Sequence, residues 1–229
     1  MLDEPFGALD AISRRQVRDE LSDILAELGL PTLVVTHAFD DAPFLAHRIG
    51  VLDNGRLVQD ATPNELLAKP ANVTVAALTG ANILEGVATI TRSGSTVRLH
   101  GGGELYSAMQ ARGPVHIAVH PWHLEPADPH DCPLTDTVRS VRRDRGGLTI
   151  RLTRFTMQRP AGDNGHVEIA EGSIVGLRAA PSDVHIVDAA AGAQWASAGS
   201  PPGSSTRTPG PNSTAARSAP SAPTPAAPK

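Results

Sequence analysis

Near Thr79 the periodicity of this chain changes, and that change limits the folds open to it. Before it, apolar residues recur at helical spacing between short β-branched runs, the pattern of an α/β layer. After it, short alternating segments follow one another with Gly and Pro between them, at 83–90, 96–99, 115–120, 138–142, 148–152, 167–169, 174–178 and 184–187. Strands of that length and spacing predict a small barrel or sandwich. Residues 115–124 also align without a gap on residues 175–184, with Pro121 matching Pro181. Two related β units are expected, too few for a solenoid array.

Within the first part, Val17, Leu21, Ile24, Leu25 and Leu28 fall on one face of a helix, and Gly29 suits its C-terminal cap. Residues 32–36 predict a strand ending at His37, and residues 40–47 a helix confined near its start by Pro43. Asn54-Gly55 between two apolar runs predicts a hairpin turn. Thr62-Pro63-Asn64-Glu65 supplies the cap, first-turn proline and capping-box glutamate of a helix that stops before Pro70. From residue 189 to 229 the composition is mainly Ala, Pro, Ser, Thr and Gly, which predicts a disordered tail.

Apolar residues make up 40% of the chain and aromatic residues 3%, so a core must be built from Val, Leu, Ile and Ala. A net charge of −4 and a pI near 6.1 give no electrostatic footprint for nucleic acid. No run of about 18 apolar residues exists to span a bilayer, so a membrane link is expected to run through a partner. Cys132 has no second cysteine to pair with, and the start lacks a basic and then apolar leader, which points to the cytoplasm.

The chemistry-bearing residues gather at the start, in Leu2-Asp3-Glu4-Pro5-Phe6-Gly7-Ala8-Leu9-Asp10 and Leu33-Val34-Val35-Thr36-His37. An acidic pair at one strand end and a histidine at the end of its neighbour suit water activation and γ-phosphate sensing. These segments resemble the Walker B, D-loop and switch-histidine segments of an ABC-transporter ATPase. Ala46-His47-Arg48-Ile49 resembles that family's Ala-Asp-Arg-Ile, and Asp60-Ala61-Thr62-Pro63 its Gly-Thr-Pro turn. The β-rich part is similar to the TOBE domain that follows the ATPase in many importers. Residues 80–86 resemble the start of that domain, and Val119-His120-Pro121-Trp122-His123-Leu124 its Val-Arg-Pro-Glu-His-Leu, without the Arg and Glu.

The resemblance implies an α/β remnant of a P-loop NTPase domain over residues 1–75, an all-β, OB-like TOBE module over 80–188, and the tail over 189–229. It implies that Asp3 holds Mg²⁺ through water, that Glu4 is the general base, and that His37 contacts the γ-phosphate of ATP. Asp10 would report across an ATPase dimer. The implied partners are membrane permease subunits and a second ATPase subunit at the inner face of the cell membrane, with no nucleic acid. The implied solute is an inorganic oxyanion such as molybdate, with iron, polyamine or sugar import close behind. Ala38 stands where the family usually has Asp, which removes a polar support of the histidine loop.

A phosphate loop needs G-x-x-x-x-G-K-[ST], and the only lysines, Lys69 and Lys229, stand in no glycine loop. The Leu-Ser-Gly-Gly-Gln signature is also absent, and Met1 stands where the family continues a buried strand, as if the chain began inside the domain. Independent ATP hydrolysis is therefore not expected of the chain, and the apolar faces of the α/β part are expected to lie open. An alternative reading is a stand-alone TOBE-type module binding a small oxyanion or acting in regulation. His116, His120, His123, His130 and Cys132 crowd one segment, but 116 and 120 lie about 13 Å apart along a strand, so solvated histidines are expected rather than a metal site. Arg139, Arg142, Arg143 and Arg145 read as a solvated strand edge and hairpin, Gly101-Gly102-Gly103 as a hairpin loop, and Trp122 as a cover for the barrel's apolar surface.

Overall fold

The computed structural model describes residues 1–144, 147–160 and 169–187. The expected tail from 189 onward lies outside the described residues, as do Arg145 and most of the expected strand at 167–169.

The chain opens with strand β1 (Leu2–Asp3), helix α1 (Ala11–Leu28), strand β2 (Val34–Val35) and the single helical turn α2 (Ala42–Leu45). Asp10 caps α1 by accepting from the amides of Ile12 and Ser13, and Gly29 closes it at φ 58°, a left-handed conformation that costs glycine little. β1 and β2 pair in parallel as a two-stranded sheet. Arg18 of α1 holds α2 in place, with its guanidinium 3.8 Å from the Phe44 ring and 3.5 Å from the buried Asp41 carboxylate.

Next comes the hairpin of β3 (Ile49–Asp53) and β4 (Arg56–Ala61), turned at Asn54 and Gly55, both at positive φ. α3 (Pro63–Ala68) starts with the full capping box between Thr62 and Glu65. α4 (Val73–Leu78), capped by Asn72, has no counterpart in the sequence expectations. Leu66 and Val75 of these helices bury against Val51 and Ala61 of the hairpin. Val73 and Ala76 of α4 turn the other way, onto Ala118 and Val187 of the β-rich part, so apolar contacts cross the boundary expected near residue 79.

The β-rich part comprises β5 (Asn82–Thr91), β6 (Gly94–Leu99), β7 (Glu104–Ser107), β8 (Gly113–Val119), β9 (Glu125–Ala127), β10 (Thr135–Asp144), β11 (Gly147–Leu152), β12 (Thr156–Pro160), β13 (Ile174–Arg178) and β14 (His185–Val187). Two five-stranded sheets result, ordered β7-β6-β5-β8-β14 and β12-β11-β10-β13-β9. The repeat expected from the sequence is present, and it includes an exchange. β9 follows β8 in the chain yet pairs with β13, whereas β14 follows β13 yet pairs with β8. The two exchanged pairings share one register: Ala118 faces His185 just as Arg178 faces Glu125, each position shifted by 60 residues. Pro121 and Pro181 each open the short 3₁₀ turn that carries the chain across.

Both sheets contribute to one core, with Ile117, Leu124, Leu134, Ile150, Met157 and Leu177 at most 1% exposed. Two polar side chains stitch the halves together. Asn82 donates to the carbonyls of Val119 and Thr156 and accepts from the Thr156 amide at 2.6 Å, while Arg154 donates to the carbonyls of Gly102 and Thr135. Such contacts satisfy backbone groups where the sheets separate.

Two expectations are overturned here. His120 is buried rather than solvated: its ring stacks on Trp122 at 4.5 Å and its Nε2 donates to the Leu67 carbonyl at 3.0 Å, closing the gap between α3 and the end of β8. Trp122 therefore covers an imidazole rather than an apolar barrel surface, and it stays 44% exposed. Of the arginine run, Arg139, Arg142 and Arg143 are exposed as expected, in the stretch of β10 that pairs in a hairpin with β11 and beyond the residues 135–137 that pair with β13, and Arg139 donates to the Thr153 hydroxyl.

Candidate functional site

The parallel register sets Leu2 opposite Val34 and Asp3 opposite Val35. The ladder then continues past β1 for one residue, with the Glu4 amide donating to the Val35 carbonyl at 2.8 Å. Glu4 turns the chain at φ 44°, an uncommon conformation for a non-glycine residue. Two residues beyond β2, His37 reaches the same end of the sheet.

The two side chains meet there. Glu4 Oε1 accepts from the His37 amide at 2.9 Å and lies 2.8 Å from His37 Nδ1. An ionised carboxylate is an acceptor only, so Nδ1 donates to Glu4 Oε1 and Nε2 is left on the exposed side of the ring. His37 is 83% exposed at its side chain and Glu4 39%, so the pair faces solvent while being fixed from behind. The polar support that Ala38 cannot give comes from Thr36, whose hydroxyl accepts from the Ala38 amide at 3.1 Å. That hydroxyl was part of the sequence pattern, but its turn-forming role depends on a backbone bend that the pattern does not specify.

Asp3 is exposed beside Glu4, and its carboxylate makes no hydrogen bond among the described residues. Asp10 is not brought to this group. Its carboxylate also accepts from the Ser13 hydroxyl at 2.7 Å, and the bonds from Ser13 and Ile12 hold it below the usual carboxylate range. In this structure Asp10 serves the start of α1.

The donor set can be tested against Mg²⁺ and a nucleotide. A free carboxylate, a carboxylate with one unengaged oxygen and an outward imidazole nitrogen suit a hydrated cation, a water molecule and a terminal phosphate. The described residues offer no glycine-rich turn with a lysine, so no cradle for the remaining phosphates accompanies them.

A second group of titratable residues lies in the β-rich part and escaped the sequence reading. Glu85 of β5 stands opposite His116 of β8, and the His100 amide just past β6 donates to the Glu85 carbonyl at 3.0 Å. His100, Glu85 and His116 thus form a row across three neighbouring strands, with each imidazole 3.5 Å from the Glu85 carboxylate. Only the strand register brings them together.

No protein-family model matches the chain. Curated relatives do. A sulfate/thiosulfate import ATP-binding protein of Agrobacterium fabrum is 41% identical over 133 residues, 57% of this chain and 38% of that protein. A molybdate/tungstate import ATP-binding protein of Thermococcus kodakarensis is 35% identical over 142 residues, 62% of this chain and 41% of its own. A longer match, 30% identical over 191 residues, is to an sn-glycerol-3-phosphate import ATP-binding protein of a Ruegeria species, covering 82% of this chain and 53% of that one. The homologues of this chain are ATP-binding subunits of ABC importers, and the chain spans between about two fifths and about half of the length of these three. Among solved structures, the cytoplasmic molybdate-binding protein ModG with molybdate bound overlaps 48% of this chain and 96% of its own, at a TM-score of 0.40 and 15% identity. That likeness is too slight to carry an argument about fold or ligand.

Proposed function

We propose that the chain is the C-terminal part of an ATP-binding subunit of an ABC importer, with residues 1–75 a portion of the P-loop ATPase domain and 80–188 a TOBE-type module. The observation that carries this reading is the Glu4–His37 pair at the shared end of two parallel strands, in a chain whose relatives are importer ATP-binding subunits. In this reading Asp3 holds Mg²⁺ through water, Glu4 accepts the proton of the attacking water, and His37 Nε2 meets the γ-phosphate. The metal would supply charge neutralisation on the phosphate oxygens. The Glu4–His37 contact fixes the imidazole's aim before nucleotide arrives, which is where positioning catalysis gains most. Asp10, at the head of α1, faces a second ATPase subunit, and the dimer docks on membrane permease subunits at the cytoplasmic face to couple ATP hydrolysis to solute uptake.

The open apolar faces of α1, β1 and β2 support the same reading. Ile24 and Leu28 of α1 and Leu33 beside β2 are all more than half exposed, although parallel sheets are normally covered on both faces. Strands bearing the phosphate loop would cover them.

The test is to supply a phosphate-loop and signature segment from a homologous importer subunit, fused ahead of Met1. The fused protein should hydrolyse ATP, and Glu4→Gln should lower turnover by roughly 10²- to 10⁴-fold while nucleotide stays bound. An unchanged rate in Glu4→Gln removes Glu4 from the role of base. The unfused chain should bind Mg-ATP no better than about millimolar, since two carboxylates beside a polyanion repel it without the lysine cradle. Micromolar affinity in isothermal titration would overturn that part of the reading.

A further inference from the structure

The ribbon of β10, β11 and β12 carries a local charge opposite to that of the whole chain. The net charge is −4, yet β10 and β11 hold the exposed arginines Arg139, Arg142, Arg143 and Arg151. Arg142, Arg143 and Arg151 make no hydrogen bond or ion pair among the described residues, and Arg139 donates only to the neutral Thr153 hydroxyl, at 3.0 Å. Arg48 and Arg98, by contrast, reach the carboxylates of Asp60 at 3.1 Å and Glu104 at 3.2 Å. Beside the ribbon, the buried Asp136 accepts from the amides of Thr137 and Arg154, and Glu171 accepts from the Val141 amide at 3.4 Å. Neither carboxylate is bonded to any of the four guanidinium groups.

Strand register sets where these charges point. Ile150 and Met157 pack in the core, and Val141, opposite Ile150, packs against it too, so their neighbours along each strand turn outward. Ser140 opposite Arg151 and Arg142 opposite Thr149 therefore share the outer face, joined by Thr156 and Gln158 of β12. Arg142 and Arg151 are diagonal neighbours there, with Cα atoms about 7–8 Å apart. Arg143, opposite Leu148, stands on the other face, where the ribbon end leaves it exposed.

Cations on both faces of a ribbon fit a flexible string of charges that bends round it better than a flat, folded partner. The outer face offers hydroxyl and amide groups, and β10, β11 and β12 expose no aromatic side chain, so it lacks both the anchors of a protein interface and a platform for bases. Guanidinium groups meet phosphoryl oxygens two at a time. Affinity at such a surface grows with the number of phosphates neutralised, through counterion release, so a single Mg-bound nucleotide gains little from it.

We propose that this ribbon binds inorganic polyphosphate, a flexible polyanion with a charge on every unit and no base to stack. Arg142 and Arg151 grip neighbouring phosphoryl groups, and Arg139 and Arg143 hold the chain on either side. The proposal goes beyond the importer reading and does not depend on it.

The experiment titrates the full chain with inorganic polyphosphate, followed by calorimetry and ¹H–¹⁵N amide shifts, with a single-stranded oligonucleotide and polyglutamate of matched charge as controls. Polyphosphate is expected to bind more tightly than either control, with shifts at residues 139–143 and 149–151, and to weaken at least about tenfold between about 50 and about 200 mM salt. Arg142→Gln combined with Arg151→Gln should weaken binding at least about tenfold and lower the salt slope by about one to two. Arg98→Gln, which removes a paired guanidinium from the other sheet, should leave the affinity unchanged. Circular dichroism checks that each variant keeps the parent fold. Tighter binding of the oligonucleotide or of polyglutamate assigns the ribbon to that partner and overturns the proposal, as does an unchanged affinity in the double variant.

Discussion

In the β-rich part Ile117, Leu134 and Leu177 are at most 1% exposed, whereas in the first 45 residues Ile12 is 84% exposed, Leu33 62% and Ile24 51%. Both regions carry apolar residues at the right period for their elements, so patterning does not explain the difference. Partnering does. In the β-rich part β5, β6 and β7, and β10, β11 and β12, pair with neighbours close in sequence, and the exchange of β9 and β14 closes the two sheets over one core. A parallel pair such as β1 and β2 needs layers on both faces, and α1 covers little of it. Local signals build a helix and a strand pair, but a buried layer needs a second layer to face.

The largest expected effect tests this contrast directly. Ile117→Ala should destabilise the β-rich part by about 3 kcal/mol in urea unfolding followed by circular dichroism, because the cavity it leaves is closed on all sides. Ile24→Ala should stay within about 0.5 kcal/mol, as an exposed side chain is lost from a helix that favours alanine. Similar losses at the two sites would break the comparison.

A smaller effect separates packed from open backbone. At Gly86 in β5 an added Cβ would lie 2.6 Å from the Arg98 carbonyl oxygen, so Gly86→Ala should cost about 2 kcal/mol. At Gly55 in the β3–β4 turn nothing lies within 4 Å, and Gly55→Ala should cost about 1 kcal/mol, through its positive φ alone. Melting temperatures of the two variants, compared with the parent, check the order.

Capping sharpens the other side of the comparison, since it acts without tertiary cover. Thr62→Ala should cost about 1 kcal/mol and fray α3 locally, visible as faster amide exchange at residues 65 and 66 while the β-rich core stays protected. Loss of protection in the β-rich core would mean that the two regions unfold together.

The smallest expected effect concerns acid. Burial pushes the His120 pKa below its ordinary value, only partly offset by its bond to the Leu67 carbonyl, with His123 and His185 adding to the depression. His185 is lowered by burial too, partly countered by Asp183, with His123 and Lys69 adding to the shift. A histidine kept neutral by folding binds its proton more readily in the unfolded chain, so stability is full above the ordinary histidine range and falls as pH drops through it. Melting temperature should decline from about pH 7 to about pH 5, and His120→Gln, which keeps a donor for Leu67, should flatten that slope. An unchanged slope would place the acid sensitivity elsewhere.

Much of this organisation was legible in the sequence because it is local. The caps of α1 and α3, the Asn54-Gly55 turn and the strands around Gly94 and Gly147 each follow from a few adjacent residues. The 60-residue echo foretold two related β units, in which the aligned Pro121 and Pro181 open matching turns. Short elements without such signals were missed: α4, β7, β9 and β12 are held by neighbours rather than by their own pattern. The imidazole of His120 was misjudged for a related reason. Its fate depends on the Leu67 carbonyl, 53 residues earlier in the chain.

At the candidate site, the sequence alone determined which groups are present: Asp3, Glu4 and His37 with their chemistry, and no lysine in a phosphate loop. It also determined the order of an α/β part before a β-rich part. Tertiary structure decided that Glu4 and His37 touch, that Asp10 turns to its own helix, that β9 and β14 exchange sheets, and that Glu85 lies between two histidines. The physical reason is separation along the chain. Caps and turns are settled by hydrogen bonds within a few residues, whereas these meetings depend on strand register, which is chosen only when whole faces bury together.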